Sequence, residues 1–169
     1  MALTPLERMG IKNAVERVLH VPGNYNGGRL EITMVFDGSL SADSVRQKGK
    51  DIGALLKSHS EVFRNVRLNT VLWMDDGAFQ QESGSIPYLQ MGRCFDNYYS
   101  VKKRKRLEPL MAYLKKFHAR AKIIFLLTDG NYRVEDEVLL KDNMRPFLYR
   151  KLIVLKCGEI MQEERFSIL

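Results

Sequence analysis

The chain has 169 residues, of which 45% are apolar and 28% charged, and these are ordinary values for a globular protein with its own core. No apolar run approaches the ~20 residues that a membrane-spanning helix needs, and residues 1–10 lack the basic and apolar regions of a secretory signal. Two isolated cysteines indicate neither a disulfide framework nor a zinc site. We therefore expect one domain, in the cytoplasm, with no membrane partner.

The net charge of +7 comes from a single segment. Residues 102–122 contain nine Lys or Arg residues and one acid, which gives this segment a net charge of +8. All other residues together carry 18 basic and 19 acidic side chains, so that their net charge is −1. The basic character is local and requires a local explanation.

Helical and strand patterns alternate along the chain after an N-terminal amphipathic helix over residues 3–20. The remaining predicted elements are a strand over 30–36, a helix over 43–60, a strand over 66–74, a short edge strand over 78–81, a helix over 107–117, a strand over 123–127, a helix over 134–148 and a strand over 152–156. This alternation predicts an α/β fold, a Rossmann-like three-layer sandwich with a mostly parallel central sheet and helices on both faces. Residues 1–28 form its N-terminal helix and loop, and residues 29–169 its α/β core.

Two acidic turns follow buried strands of this predicted sheet. Asp37, Ser39 and Ser41 form an Asp-x-Ser-x-Ser pattern after the first strand, and Asp129 lies in a Thr-Asp-Gly turn after a later one. In α/β sheets, ligands bind beyond the carboxyl ends of the strands, where the strand order reverses. Carboxylate and hydroxyl oxygens are the ligands that Mg²⁺ prefers. These four residues are therefore candidate metal ligands.

This pair of motifs resembles the von Willebrand factor type A (vWA) family. The metal-ion-dependent adhesion site (MIDAS) of that family uses Asp-x-Ser-x-Ser after the first strand, matched here by Asp37, Ser39 and Ser41, and a later Thr-Asp-Gly, matched around Asp129. The resemblance covers roughly residues 30–158. It implies a Rossmann-like sheet with Mg²⁺ (or Mn²⁺) at its top, which binds an Asp or Glu of a protein partner. The family consists mostly of binding modules, often in intracellular complexes.

The chain departs from the family at one ligand. The family supplies a threonine before a helix that contains Leu-x-Pro, and Lys105 stands at that position here. A lysine ammonium close to Asp37 and Asp129 would satisfy the carboxylates without a metal, in which case the cofactor is absent. Serines elsewhere in the chain are the alternative hydroxyl ligands: Ser100 first, and then Ser83 and Ser85.

The basic run before that helix has three interpretations. It consists of Lys102, Lys103, Arg104, Lys105 and Arg106. It is a solvated helix entry, an electrostatic footprint for nucleic acid or another polyanion, or a nuclear localisation signal. Two tyrosines before the run either stack on bases or pack on the domain, and these are Tyr98 and Tyr99.

The function that this sequence predicts is a non-catalytic protein-interaction module, not an enzyme, which binds an acidic partner through Mg²⁺. The alternative is a nucleic-acid or polyanion binder that uses residues 102–122. A metal-dependent hydrolase is a third hypothesis. It is disfavoured because the sequence offers no candidate general base, and an aspartyl-phosphate enzyme in particular would have a second carboxylate where Ser39 stands. The sequence predicts no particular oligomeric state and no role for residues 78–100.

Overall fold

The computed structural model describes residues 3, 5–19, 30–59, 65–75, 78–85, 95, 98, 105–130, 132–147, 152–156 and 162–165. Its helices are α1 (Pro5–Leu19), α2 (Ala42–Ser58), α3 (Leu107–Phe117) and α4 (Glu137–Met144), and a 3-10 turn (Arg145–Phe147) follows α4. Its strands are β1 (Leu30–Asp37), β2 (Val66–Asp75), β3 (Ala78–Ser85), β4 (Lys105–Arg106), β5 (Ile123–Thr128), β6 (Tyr132–Arg133), β7 (Leu152–Lys156) and β8 (Gln162–Arg165).

Six of these strands form one mixed sheet in the order β3-β2-β1-β5-β7-β8. The four central strands are parallel to one another, and the two edge strands, β3 and β8, are antiparallel to their neighbours. Strands β4 and β6 form a separate short parallel pair. The predicted α/β class and mostly parallel sheet are confirmed, and the architecture is compatible with a Rossmann-like sandwich.

The predicted elements differ from the observed ones mainly at their ends. The edge strand β3 is longer than predicted, because all of residues 78–85 pair with β2. The helix predicted over 134–148 begins only at Glu137, since Asp136 caps it, and it ends at Met144. The sequence did not predict the short β4 and β6 or the edge strand β8.

Apolar side chains pack on both faces of the sheet, as the continuous apolar strands predict. Alternate residues of β1 point to opposite faces: Phe36 packs with α1 and α2, and Val35 packs with α3 and α4. The helix α3 contributes the buried residues that its periodicity predicts, namely Leu107, Leu110, Met111 and Leu114. Phe117 also fits that periodicity, but it is 58% exposed at the end of the helix.

The chain enters the sheet at β1 and moves outward in both directions from there. The crossover after β1 leads to β2, whereas β5 lies on the other side of β1. The carboxyl ends of β1 and β5 are therefore neighbours at the point where the strand order reverses, which is the usual ligand site of such sheets. We call this side of the sheet the carboxyl edge. Within the described ranges, no helix has the length and apolar character that crossing a membrane requires.

Candidate functional site

Asp37 is the centre of a buried polar cluster at the carboxyl edge. Its side chain is fully buried, and both of its carboxylate oxygens accept hydrogen bonds. The backbone N–H and the hydroxyl of Ser39 each lie 2.9 Å from Oδ1. The Thr128 hydroxyl donates to Oδ2 from the end of β5. These bonds come from residues close in sequence and from the neighbouring strand, so Asp37 joins the ends of β1 and β5.

The Thr-Asp-Gly turn after β5 has a geometry that explains its residue types. The backbone N–H of Gly130 donates to the Thr128 hydroxyl at 3.0 Å, which orients that hydroxyl. Gly130 has a φ of 84°, in the left-handed region that glycine adopts without strain. Asp129 lies between them and is exposed, and its Oδ1 is 2.8 Å from the Ser39 hydroxyl. Because that hydroxyl has one proton for two carboxylates, it donates to only one of them at a time.

Lys105 provides the cation of the cluster. Its Nζ forms an ion pair with Oδ1 of Asp37, and both side chains are completely buried. The ammonium also lies 4.7 Å from the centre of the Trp73 ring, a cation–π distance. Trp73 pairs with Asp37 in the register of β1 and β2, so the ring lies beside the carboxylate. The sequence alternative in which Lys105 neutralises Asp37 agrees with this geometry.

The Tyr98 side chain lies next to the cluster, where the chain passes from Asp37 to the start of α2. Its hydroxyl donates to the carbonyl of Leu40, and the carbonyl of Asp37 is 3.4 Å away. Burial, and then the negative charges of Asp37 and Asp129, raise the pKa of Tyr98 above its ordinary value. The phenol therefore stays protonated and able to donate. Tyr98 is 4% exposed, which favours packing on the domain over stacking on a nucleic acid base.

Ser41 has a different role from its two predicted companions. It is exposed and forms the N-cap of α2, where its hydroxyl accepts a hydrogen bond from the backbone N–H of Ser44 at 3.2 Å. This is the bond that serine makes most often before a helix. Asp37, Ser39 and Asp129 are thus joined in one hydrogen-bonded cluster, whereas the bond that the structure gives Ser41 belongs to the helix end.

The predicted Mg²⁺ or Mn²⁺ does not fit these residues as they are arranged. A hard divalent cation needs the Asp37 carboxylate as a direct ligand. The Lys105 ammonium bonds to Oδ1 of that carboxylate, and Oδ2 accepts from Thr128. Among the residues that the structure describes, no three His, Cys, Asp or Glu side chains are grouped as a metal site.

The structure describes only some of the remaining predicted ligands and basic residues. Ser100 and the predicted polyanion-binding residues Lys102, Lys103 and Arg104 lie outside the described residues, as does Tyr99. Ser83 and Ser85 lie opposite Asn69 and Arg67 in the sheet, towards the end of β2 that is remote from Asp37. They are therefore not ligands of this cluster.

The described part of the basic segment, residues 105–122, contributes cations to two places in the fold. At the carboxyl edge, Lys105 is buried, and Arg106 pairs with Glu135 at 3.7 Å. Its other described cations are on the last turn of α3 and just beyond it: Lys115, Lys116, Arg120 and Lys122. The backbone N–H of Lys122 bonds to the carbonyl of Glu31, near the start of β1, so this second group lies at the opposite, amino edge of the sheet.

Exposed aliphatic side chains lie on the segment that follows the acidic turn of β5. Val138 is 79% exposed, Leu139 48% and Val134 40%. Glu108, at the start of α3, accepts hydrogen bonds from the backbone N–H groups of Glu135 and Asp136 at 2.7 and 3.2 Å. This segment is therefore held at the carboxyl edge, and we call its three exposed side chains the aliphatic patch.

Three members of this region were not predicted as site residues. Thr128 binds Asp37, Trp73 lies under the Lys105 ammonium, and Glu108 anchors the segment that bears the aliphatic patch. The sequence held signals for two of them: Thr128 immediately precedes Asp129, and Glu108 is the one acid in the basic segment 102–122. Trp73 had no such signal because its role depends on strand register.

Comparisons with protein-family models, with curated proteins and with solved structures found no match to this chain. The resemblance to the vWA family therefore stays a prediction that rests on the motifs.

Proposed function

We propose that the chain is a non-catalytic, vWA-like protein-interaction module that receives a protein partner at the carboxyl edge of its sheet. The observation that carries this proposal is the aliphatic patch of Val134, Val138 and Leu139, exposed on the segment that Glu108 holds at the carboxyl edge. Exposed apolar side chains that lie together, with polar residues around them, are typical of a protein-binding surface. The vWA-like assignment is supported by Asp37 and Asp129, which lie at the ends of adjacent parallel strands.

A non-catalytic role is supported by how the buried polar groups are used. The Asp37 carboxylate is neutralised by Lys105 and hydrogen-bonded on both oxygens. A general base must accept a proton from a substrate, and a carboxylate held in this way is poorly suited to that task. We therefore assign the cluster a structural role, in which it holds the ends of β1, β5 and β4 in fixed positions beneath the partner.

The partner contact we propose differs from the one that the vWA resemblance implies. That resemblance implies a partner Asp or Glu that completes the coordination shell of Mg²⁺. Because Lys105 takes the place of the cation and is fully buried, the contact depends instead on the aliphatic patch and the exposed Asp129. A complex of this kind forms equally well in EDTA and in Mg²⁺, whereas a metal-bridged complex is lost in EDTA.

The test uses substitutions of exposed apolar residues at both ends of the sheet. Val138→Asp places a charge in the aliphatic patch and should abolish partner recovery in affinity purification. Phe117→Asp is the matched control, because Phe117 is 58% exposed at the other end of α3. Both variants should stay folded, since neither side chain belongs to the buried core, although Phe117→Asp also loses the ring contact with Tyr113. Equal recovery with Val138→Asp and wild type would refute the proposed surface.

Polyanion binding is the second candidate, and one observation favours it. Lys115, Lys116 and Arg120 are all exposed on the last turn of α3 and in the turn after it. Grouped cations of this kind attract phosphates, and the resulting affinity falls steeply with salt.

Charge reversal distinguishes the two halves of the basic segment. The triple variant Lys115→Glu, Lys116→Glu, Arg120→Glu should abolish binding to single-stranded RNA if the amino edge is the site. The matched triple variant Lys102→Glu, Lys103→Glu, Arg104→Glu should abolish it if the run before α3 is the site. RNA binding that survives both changes, or that is independent of salt, would remove this candidate.

A further inference from the structure

We propose that Lys105 is a built-in cation that replaces a divalent metal, and that a divalent-cation site lies latent beneath it. The proposal concerns the Asp37 cluster itself and does not depend on which partner binds at the carboxyl edge. It rests on the oxygen atoms linked to the Asp37 carboxylate and on the complete burial of its ion pair with Lys105.

The ammonium lies in a surrounding that suits a cation. It bonds directly to Asp37, whose carboxylate is in turn bonded to the Ser39 and Thr128 hydroxyls. Asp129 is linked to the same cluster through the Ser39 hydroxyl. The cluster thus has two carboxylates and two hydroxyls, all oxygen donors of the type that Mg²⁺ and Mn²⁺ take. The face of the Trp73 ring, which is electron-rich, provides a further favourable contact for a positive charge.

Burial explains why a cation must be present there. Asp37 is completely buried, and a buried carboxylate without a compensating charge is strongly unfavourable. Lys105 supplies that charge from β4, 68 residues away in the sequence. A tethered cation cannot dissociate, so β4, which leads directly into α3, stays attached to the end of β1 at any metal concentration. The wild-type site is therefore permanently closed and independent of metal.

Removal of the lysine should uncover the latent site. Lys105→Ser removes the ammonium and leaves a hydroxyl, so a divalent cation can then supply the missing charge. We expect this variant to melt several degrees below wild type in EDTA and to recover most of that loss in millimolar MgCl₂ or MnCl₂. Wild type should melt at the same temperature in EDTA and in either metal. The control is Lys105→Ser combined with Asp37→Asn, which should not respond to metal.

Trp73 provides an independent readout, because it is the one tryptophan of the chain and its ring lies next to the Lys105 ammonium. Mn²⁺ is paramagnetic, so a Mn²⁺ ion at the position of the ammonium should quench Trp73 fluorescence in a saturable manner. We expect quenching in Lys105→Ser and none in wild type at the same concentrations.

Two results would overturn the proposal. The first is saturable Mn²⁺ quenching of wild type that Asp37→Asn abolishes, which would show that the metal binds with Lys105 in place. This measurement needs no Lys105 variant and stays decisive if Lys105→Ser does not fold. The second is a folded Lys105→Ser protein whose melting temperature and fluorescence are both unaffected by Mg²⁺ and Mn²⁺.

Discussion

The hydroxyl of Ser39 lies 2.8 Å from Oδ1 of Asp129, a residue 90 positions further along the chain. This contact joins the Asp-x-Ser-x-Ser turn after β1 to the Thr-Asp-Gly turn after β5. The same hydroxyl is 2.9 Å from Asp37, so one serine connects both acidic turns. The second serine of the motif, Ser41, caps α2 instead.

Ser39 and Ser41 should therefore respond differently to alanine substitution. Ser41→Ala removes an exposed N-cap and should lower the free energy of unfolding by about 1 kcal/mol. Ser39→Ala removes the buried hydroxyl that links the two carboxylates and should lower it by about 2–3 kcal/mol. Urea denaturation followed by circular dichroism measures both values. A larger loss for Ser41→Ala than for Ser39→Ala would contradict the roles assigned to the two serines.

The ion pair between Lys105 and Asp37 should show strong coupling in a double-mutant cycle. Lys105→Met leaves a buried carboxylate without its counter-charge and should lower the free energy of unfolding by about 3–5 kcal/mol. The double variant Lys105→Met, Asp37→Asn has no buried charge at this position and should lose less than Lys105→Met alone. The free energies come from urea denaturation in EDTA. Additive losses would mean that the two side chains do not form the pair described.

Gly38 should tolerate no larger residue, because β1 and β2 approach closely at their carboxyl ends. A Cβ atom at Gly38 would lie 2.6 Å from the Trp73 carbonyl oxygen and 3.0 Å from the Met74 Cα, and both are backbone atoms that cannot move independently. The Gly38 N–H also donates to that carbonyl at 2.7 Å. Gly38→Ala should lower the free energy of unfolding by about 1–3 kcal/mol.

The matched control for this substitution is Gly10→Ala. Gly10 lies within α1, and a Cβ atom there would have no neighbour within 4 Å. Alanine favours the helix, so this variant should be more stable than wild type by roughly 0.5–1 kcal/mol. Thermal or urea unfolding of the two variants should therefore give changes of opposite sign, and equal changes would contradict the packing at Gly38.

His118 should make the fold sensitive to acid. It is 2% exposed, its Nδ1 is 3.2 Å from the Thr33 hydroxyl, and Tyr113 lies beside its ring. Burial lowers its pKa from 6.5 to about 4. Between these two values the unfolded chain binds the proton more readily than the folded one, so stability falls as the pH is lowered from about 6.5 to about 4.

We expect this loss to reach about 3 kcal/mol, the linkage value for a pKa lowered by this amount. The free energy of unfolding, measured across this pH range for wild type and for His118→Gln, checks the prediction. The variant keeps a polar side chain but cannot titrate, so the difference between the two proteins should diminish as the pH falls. A difference that does not change with pH would exclude His118 as the titrating group.

The order of helices and strands and the location of the acidic turns were predictable from the sequence. They depend on local patterns: continuous apolar runs for buried strands, periodic apolar residues for helices, and glycine and aspartate where the chain turns. Hence the strands that carry Asp37 and Asp129 were predicted, and so was their placement at one edge. The short β4 and β6 were not predicted, because a two-residue strand depends on its partner and not on its own composition.

The sequence by itself determined that two carboxylates and several hydroxyls lie at the carboxyl edge of an α/β sheet. It left open whether a metal or a lysine neutralises them, since a lysine in a basic run usually remains in solvent. Only the tertiary structure shows that Lys105 pairs with one of them, Asp37. Strand β4 brings Lys105 into contact with Asp37 across 68 residues, inside a site closed by Trp73, where a buried carboxylate requires a cation. The pairing of Lys105 with Asp37 depends on the packing of distant segments, which no local pattern encodes.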